Sequence, residues 1–279
     1  MIHTPRQLKA LVRNLSKGDS TKAQIIIRNY VMERFLERLS LSLYRDNLIL
    51  KGGTLVAAMV GLDNRSTMDI DATLKSLPLS EESARKVVEE IASIQIEDGM
   101  AFKIKSVVAI MDEADYPGVR VMLDTTLETM HTPLKIDFST GDIITPSEVM
   151  YSFRLLFEER AISILAYNLE TVLAEKLETL LARGTANTRM RDFYDIYALE
   201  STQSHNIDRA VLRAAFANTS EKRGSSAVVS SMDIILDEVE SSPDMAVLWN
   251  NYQRKFEYAA DIGWGDIMQA VRKLCNAFK

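Results

Sequence analysis

Sulfur and imidazole chemistry are scarce in this 279-residue chain. Its single cysteine, Cys275, excludes an internal disulfide and any cysteine-based zinc site. The three histidines, His3, His131 and His205, are scattered and spell no metal motif. Long apolar runs are missing as well. The longest, Leu55–Leu62, falls far short of the roughly 20 residues a membrane-spanning helix needs. The opening stretch, MIHTPRQLKALVRN, carries charges every few residues and no apolar segment, so no secretory leader is expected. There is no internal repeat, no low-complexity segment and no polybasic tail. These absences predict a cytoplasmic protein that uses no membrane, zinc or disulfide.

What is present is an ordinary globular composition, 47% hydrophobic and 26% charged. The net charge of −6 hides an asymmetry. Residues 1–60 hold ten basic side chains, among them Arg28, Arg34 and Arg38, against four acidic ones, so this stretch is +6 and the remainder −12. Such a division suits a chain with one face turned toward a polyanion. The alternative is a solvated helical surface.

Hydrophobic spacing organises the chain. Ile27, Val31, Phe35, Leu39 and Leu43 recur every four residues and predict a helix over 21–45, with the three arginines elsewhere on the wheel. Residues 47–51 read as a buried strand ending at Gly52-Gly53, 54–62 as a short helix that Thr54 caps, and 68–73 as a strand. A helix over 80–96 is followed by strands at 103–111, 119–126 and 133–139, with an acidic turn between the first two. From about residue 160 the pattern is helical: 168–183, 190–199, 206–217, 227–240 and pieces of 244–278. The expected fold class is α+β and bilobed. A mixed sheet flanked by helices fills residues 1–150, and an all-helical lobe fills 151–279.

One segment departs from generic patterning: Lys51-Gly52-Gly53-Thr54, then Arg65-Ser66, then Asp69-x-Asp71. Glycines at a strand-to-helix turn let backbone N–H groups approach an anion at the helix N-terminus. Asp69 and Asp71, two apart on a strand, present both carboxylates on one face. Such a pair repels itself unless a cation intervenes, and its hard oxygens suit Mg²⁺. Asp137, in Leu134-Lys-Ile-Asp-Phe138, adds a third carboxylate on a polar strand face. Three coplanar aspartates beside a glycine turn suit metal-assisted phosphoryl chemistry. Taken singly, Gly-Gly is usually only a turn and Asp-x-Asp a solvated strand edge. Their order on a strand–turn–helix–strand frame carries the reading.

A second cluster lies in the helical half: Glu175-Lys176, Arg183, and Arg189-x-Arg191-Asp192-Phe-Tyr-Asp195. Lys176 and Arg183 are two helical turns apart and can share a face as a phosphate clamp that Asp192 positions. The bland alternative is an interhelical salt-bridge network.

These motifs resemble those of the AbiEii-type nucleotidyltransferase toxins, within the DNA polymerase β-like nucleotidyltransferase superfamily and similar to the MenT toxins. The superfamily pattern is matched by Gly52-Gly53, Asp69-x-Asp71 and Asp137. The toxin-type elaboration is matched by Arg65-Ser66, Glu175-Lys176, Arg183 and Arg191-Asp192…Asp195. The resemblance spans about residues 20–200, and beyond that rests on helical character and a Thr219…Lys222-Arg223-Gly224 segment.

It implies the toxin of an AbiE-type toxin–antitoxin pair, linked to abortive phage infection and opposed by an AbiEi-like antitoxin. The implied activity is NMP transfer from an NTP to RNA, at the tRNA 3′ end, with Mg²⁺ or Mn²⁺. On that reading Asp69, Asp71 and Asp137 hold metal, Asp137 also helping to activate the 3′-hydroxyl. Gly52, Gly53, Thr54, Arg65, Ser66, Lys176 and Arg183 bind the phosphates, and Asp192 positions Lys176 or Arg191. The basic N-terminal residues, Arg34 and Arg38 included, meet the RNA. The alternatives are nucleotidylation of a protein or small-molecule hydroxyl, and a nucleotide-binding protein that acts without turnover.

Overall fold

The computed structural model describes residues 2–111 and 117–278; of the acidic turn expected over 112–118, residues 112–116 lie outside them, and Pro117 and Gly118 begin a strand. Among the described residues are ten α-helices and seven strands. They fall into two compact units. The first comprises residues 1–58, 66–142 and 149–166, and the second 59–65, 143–148 and 167–279.

The first unit opens with two helices, α1 (Pro5–Ser16) and α2 (Ser20–Leu41), followed by strand β1 (Leu48–Lys51). Helix α3 (Gly52–Val60) starts directly at the glycines, and β2 (Asp69–Leu74) carries the aspartates. After α4 (Glu81–Ala92) come β3 (Met100–Met111), β4 (Pro117–Leu127), β5 (Met130–Thr140), β6 (Val149–Arg154) and β7 (Ala161–Ala166). All seven strands form one mixed sheet in the order β3-β4-β5-β2-β1-β7-β6. β2 runs parallel to β5 and antiparallel to β1. Alternation sorts the two faces: Ile70, Ala72 and Leu74 on β2 and Leu134, Ile136 and Phe138 on β5 are buried, while the intervening polar residues occupy the other face.

The sequence predicts helical structure from about residue 160 and a lobe boundary at 150. The structure instead places a β6–β7 hairpin there, paired parallel to β1 at Leu50↔Ala166, so the first unit extends to residue 166.

Helix α2 also differs from expectation. Asn29 through Leu39 is buried on every side, and Leu43 lies beyond the helix end, 90% exposed. Arg34 and Arg38 are 0% and 2% exposed, so they cannot form the expected RNA-facing surface. Local carboxylates account for their burial. Arg38 grips Asp98 with two hydrogen bonds of 2.7 and 2.8 Å, and Arg34 pairs with Glu37 at 2.9 Å and Glu158 at 3.0 Å. The exposed basic residues of this region are Arg6, Lys9, Arg13 and Lys17, on and just after α1, together with Arg45. Thr4 starts that helix with a capping box to Gln7.

The second unit is helical, as expected: α5 (Leu169–Arg183), α6 (Met190–Gln203), α7 (Arg209–Lys222), α8 (Met232–Ser241), α9 (Pro243–Lys255) and α10 (Trp264–Cys275). Its core includes Leu177, Phe193, Leu199, Phe216, Trp249 and Val271. The Asn168 side chain caps α5 at Thr171 and donates its amide to the Thr145 and Ser147 carbonyls, which ties residues 143–148 to this unit. Among the described residues no helix is long and apolar enough to cross a membrane.

Candidate active site

The parallel register of β2 against β5 brings the three aspartates together. Asp69 faces Lys135 and Asp71 faces Asp137, so both carboxylates of β2 and that of Asp137 share one sheet face. On the far side of β5, β4 aligns Arg120 with Asp137. The guanidinium grips Asp137 in a two-pronged pair, Nε to Oδ1 and Nη2 to Oδ2, each 2.8 Å. Lys135 Nζ lies 2.7 Å from Asp69 Oδ2 and 3.7 Å from Asp137 Oδ2.

Asp71 is set differently. Its Oδ2 accepts a hydrogen bond from the Gly53 N–H at 3.3 Å, so the turn amide that the sequence assigns to phosphate is engaged by a carboxylate of the site. Burial, then the neighbouring Asp137 charge, push the Asp71 carboxyl above its ordinary value, outweighing the opposing influence of Lys51 and the Gly53 amide. Gly52 makes this approach possible. Its φ is +64°, and a Cβ there would lie 2.8 Å from the Asp71 Cβ and closer still to the carboxylate. Thr54 does not cap α3 as expected; its hydroxyl donates to the Asp69 carbonyl and fixes the start of β2. Lys51 is drawn to Asp142 at 2.7 Å, where the Ser139 hydroxyl also donates at 2.8 Å. Ser66 is half-buried just before β2.

A divalent cation fits the chemistry of this face. The donors are hard oxygens, the Asp71 carboxylate is held against like charge, and the missing side chain at Gly52 is what lets that carboxylate pack against the glycine turn. Among the described residues no three His, Cys, Asp or Glu side chains converge as a cage. Mg²⁺ commonly takes one or two carboxylates and completes its shell with water and substrate phosphate.

The second cluster assembles within the helical unit. Lys176 Nζ sits between Asp192 Oδ1 at 2.9 Å and Asp195 Oδ2 at 2.6 Å. Arg65, buried to 1%, reaches Asp195 with Nε at 2.5 Å and Nη2 at 3.3 Å. Burial opposes the charge on Asp195, but the ammonium of Lys176 and the guanidinium of Arg65 overcome it and hold the carboxyl below its usual range. Burial likewise opposes the Lys176 charge, and the two aspartates raise its pKa above the usual lysine value. Asp192 also accepts from Arg189 at 3.0 Å, while Arg191 is exposed and Arg183 half-buried in the last turn of α5. The interhelical network read as the bland alternative is therefore present. Arg65, which the resemblance assigns to the phosphates, is engaged in it by Asp195.

A family model, the nucleotidyl transferase AbiEii toxin of type IV toxin–antitoxin systems, matches residues 34–273. The chain belongs to the AbiEii family. This AbiEii member is accordingly a nucleotidyltransferase, and its family implies an NTP substrate and an antitoxin partner. Its fold is similar to that of MenT4, a nucleotidyltransferase toxin from Mycobacterium tuberculosis H37Rv, with TM-score 0.58 and 16% identity over 97% of each chain. JHP933 from Helicobacter pylori is similar at TM-score 0.51 and 17% identity, over 91% of this chain and 94% of that one. Among curated proteins no relative matches.

Sequence reading missed Arg120 and did not place Lys135 between two of the aspartates. Arg120 carries no motif, and only the β4–β5 register puts it opposite Asp137. Lys135 was visible as the residue sharing a strand face with Asp137, and its contact with Asp69 depends on the β2–β5 pairing.

Proposed function

We propose that this AbiEii transferase moves an NMP from an NTP to the 3′-hydroxyl of RNA, with tRNA as the acceptor. The reading rests on one observation: Asp69, Asp71 and Asp137 share a sheet face beside a glycine turn whose Gly53 amide donates to Asp71. Asp69 and Asp71 would hold Mg²⁺, which when bound supplies charge neutralisation and lowers the pKa of an attacking hydroxyl. The 3′-oxygen attacks the α-phosphorus, the bond to the bridging oxygen breaks, pyrophosphate leaves and the hydroxyl proton passes to solvent. In the first unit Gly53 and Ser66 are assigned to the phosphates; in the second, Asp192 and Asp195 fix the position of Lys176. Arg120 occupies both oxygens of Asp137 and fixes its orientation, which favours an electrostatic role for it over that of a base.

RNA is favoured over a protein acceptor by α1, where Arg6, Lys9 and Arg13 follow helical spacing on an exposed surface. In the cell the activity would serve a phage-defence pair in which an AbiEi-like antitoxin restrains it. The test is to incubate the protein with total RNA and each α-labelled NTP in turn. Label is expected in the tRNA fraction, and Asp69→Ala or Asp71→Ala should abolish it with unchanged or slightly raised melting temperature. Label on protein alone would move the acceptor to a protein hydroxyl. Full transfer by either alanine variant would sink the metal assignment.

A further inference from the structure

The carboxylate face carries its own cations. Three aspartates share it, and two basic side chains from neighbouring strands already neutralise part of their charge. Arg120 occupies both oxygens of Asp137, at 2.8 Å each. Lys135 reaches one oxygen of Asp69 at 2.7 Å and lies 3.7 Å from Asp137. Neither position is incidental to a loose surface chain. Lys135 is a direct pairing partner of Asp69 on one side and of Met122 on the other, and Arg120 is the pairing partner of Asp137. The backbone ladder therefore fixes where both stems begin. Among the described residues Asp71 alone of the three has no ion-pair partner; it accepts only the Gly53 amide. Lys51, the nearest strand neighbour, is turned to Asp142 at 2.7 Å.

We propose that the Lys135 ammonium takes the place of a second metal ion. The protein side of the site then holds a single divalent cation, on Asp71 and the oxygen of Asp69 that Lys135 leaves, and Asp137 is not a ligand. This deepens the reading above and rests on it. The physical reason is competition for one anionic face. A fixed ammonium between Asp69 and Asp137 satisfies those carboxylates and repels a cation that approaches both. A further ion would have to arrive already bound to the NTP phosphates.

Mn²⁺ is the probe, because its binding is read by electron paramagnetic resonance without any turnover. The full chain, free of nucleotide, should bind one Mn²⁺. Lys135→Met keeps the stem and deletes the charge, so it should bind the first ion at least tenfold more tightly, or bind two. Lys135→Arg keeps the charge and should remain at one weak ion. Adding Asp71→Asn to Lys135→Met should remove the gain. Two ions of similar affinity in the unaltered chain overturn the inference, as does an unchanged affinity in a folded Lys135→Met variant. The unaltered chain gives its count whether or not that variant folds. Normal nucleotide transfer together with two bound ions overturns only this inference. Absence of both transfer and Mn²⁺ binding in every variant overturns the proposed activity as well.

Discussion

A methyl group on Gly52 would collide with the Asp71 carboxylate. It would also sit on a backbone with φ +64°, where L-residues are strained by roughly 1 kcal/mol. Gly52→Ala therefore acts twice, on local stability and on the carboxylate that the transfer reaction needs. The expected result is a loss of about 10²-fold in nucleotide transfer, the scale set by an ångström of misplacement, with a small fall in melting temperature. Full transfer in a folded variant would show that Asp71 need not keep its present position. At this scale much of the site was legible in the sequence. Asp69 and Asp71 share a face because strands alternate, and the glycines announce the turn. What stayed hidden were the neutralising residues, since nothing local in Val119-Arg120-Val121 signals which strand will lie opposite.

Single elements carry a different lesson, and α2 states it most clearly. Its arginines read as an RNA-facing stripe because periodicity reports which residues are polar, not whether a distant carboxylate waits for them. Asp98 and Glu158 lie far along the chain, and pairing with them allows the helix to be buried with its charges. Glu33 shows the electrostatic consequence. Both its oxygens accept the Leu156 N–H at 3.0 Å, yet burial pushes its carboxyl up to about 8 against that bond and the pull of Arg34. The folded chain thus holds a proton that the unfolded chain releases near pH 4.5. Between those values stability falls as pH rises, by at most about 1.4 kcal/mol per pH unit for this group. Denaturation of the unaltered protein at pH 5.5 and 8, compared with Glu33→Gln, should show a decline that the glutamine variant lacks. Equal slopes would place the proton elsewhere. Helix α1 makes the opposite case, because its basic residues are exposed. Reversing Arg6, Lys9 and Arg13 to glutamate should weaken RNA binding and lower the salt slope by about 2, with the melting curve unmoved. An unchanged slope would take α1 out of the RNA path.

The whole molecule is two compact units whose sequences interleave. A helical second half was legible from its periodicity, and the sheet from its strands. The boundary was not. Residues 149–166 contain Pro-free alternation that is short and weak, and their strand character depends on pairing with β1, more than a hundred residues earlier. Nor does any local signal reveal that residues 59–65 leave the first unit between α3 and β2 and join the second. Within that unit the segment is held by Arg65 on Asp195, by the Tyr194 hydroxyl on the Asn64 carbonyl, and by the Gln203 amide on the Met59 carbonyl at 3.1 Å.

The Arg65–Asp195 bond has a consequence for the order in which a ribosome delivers the chain. Its two ends are separated by 130 residues. At ordinary elongation rates Arg65 waits on the order of ten seconds for its partner to be made. All three aspartates are synthesised before that interval ends, while the segment that leads into β2 still lacks the contacts that hold it. Ribosome-bound chains stalled before Asp195 emerges should therefore be cut by protease within residues 59–65, and chains stalled after α6 has emerged should resist. Equal protection at both points would mean that this segment is secured by the first unit alone. Delayed closure would leave the segment that leads into β2 unfinished until translation is well into the helical unit.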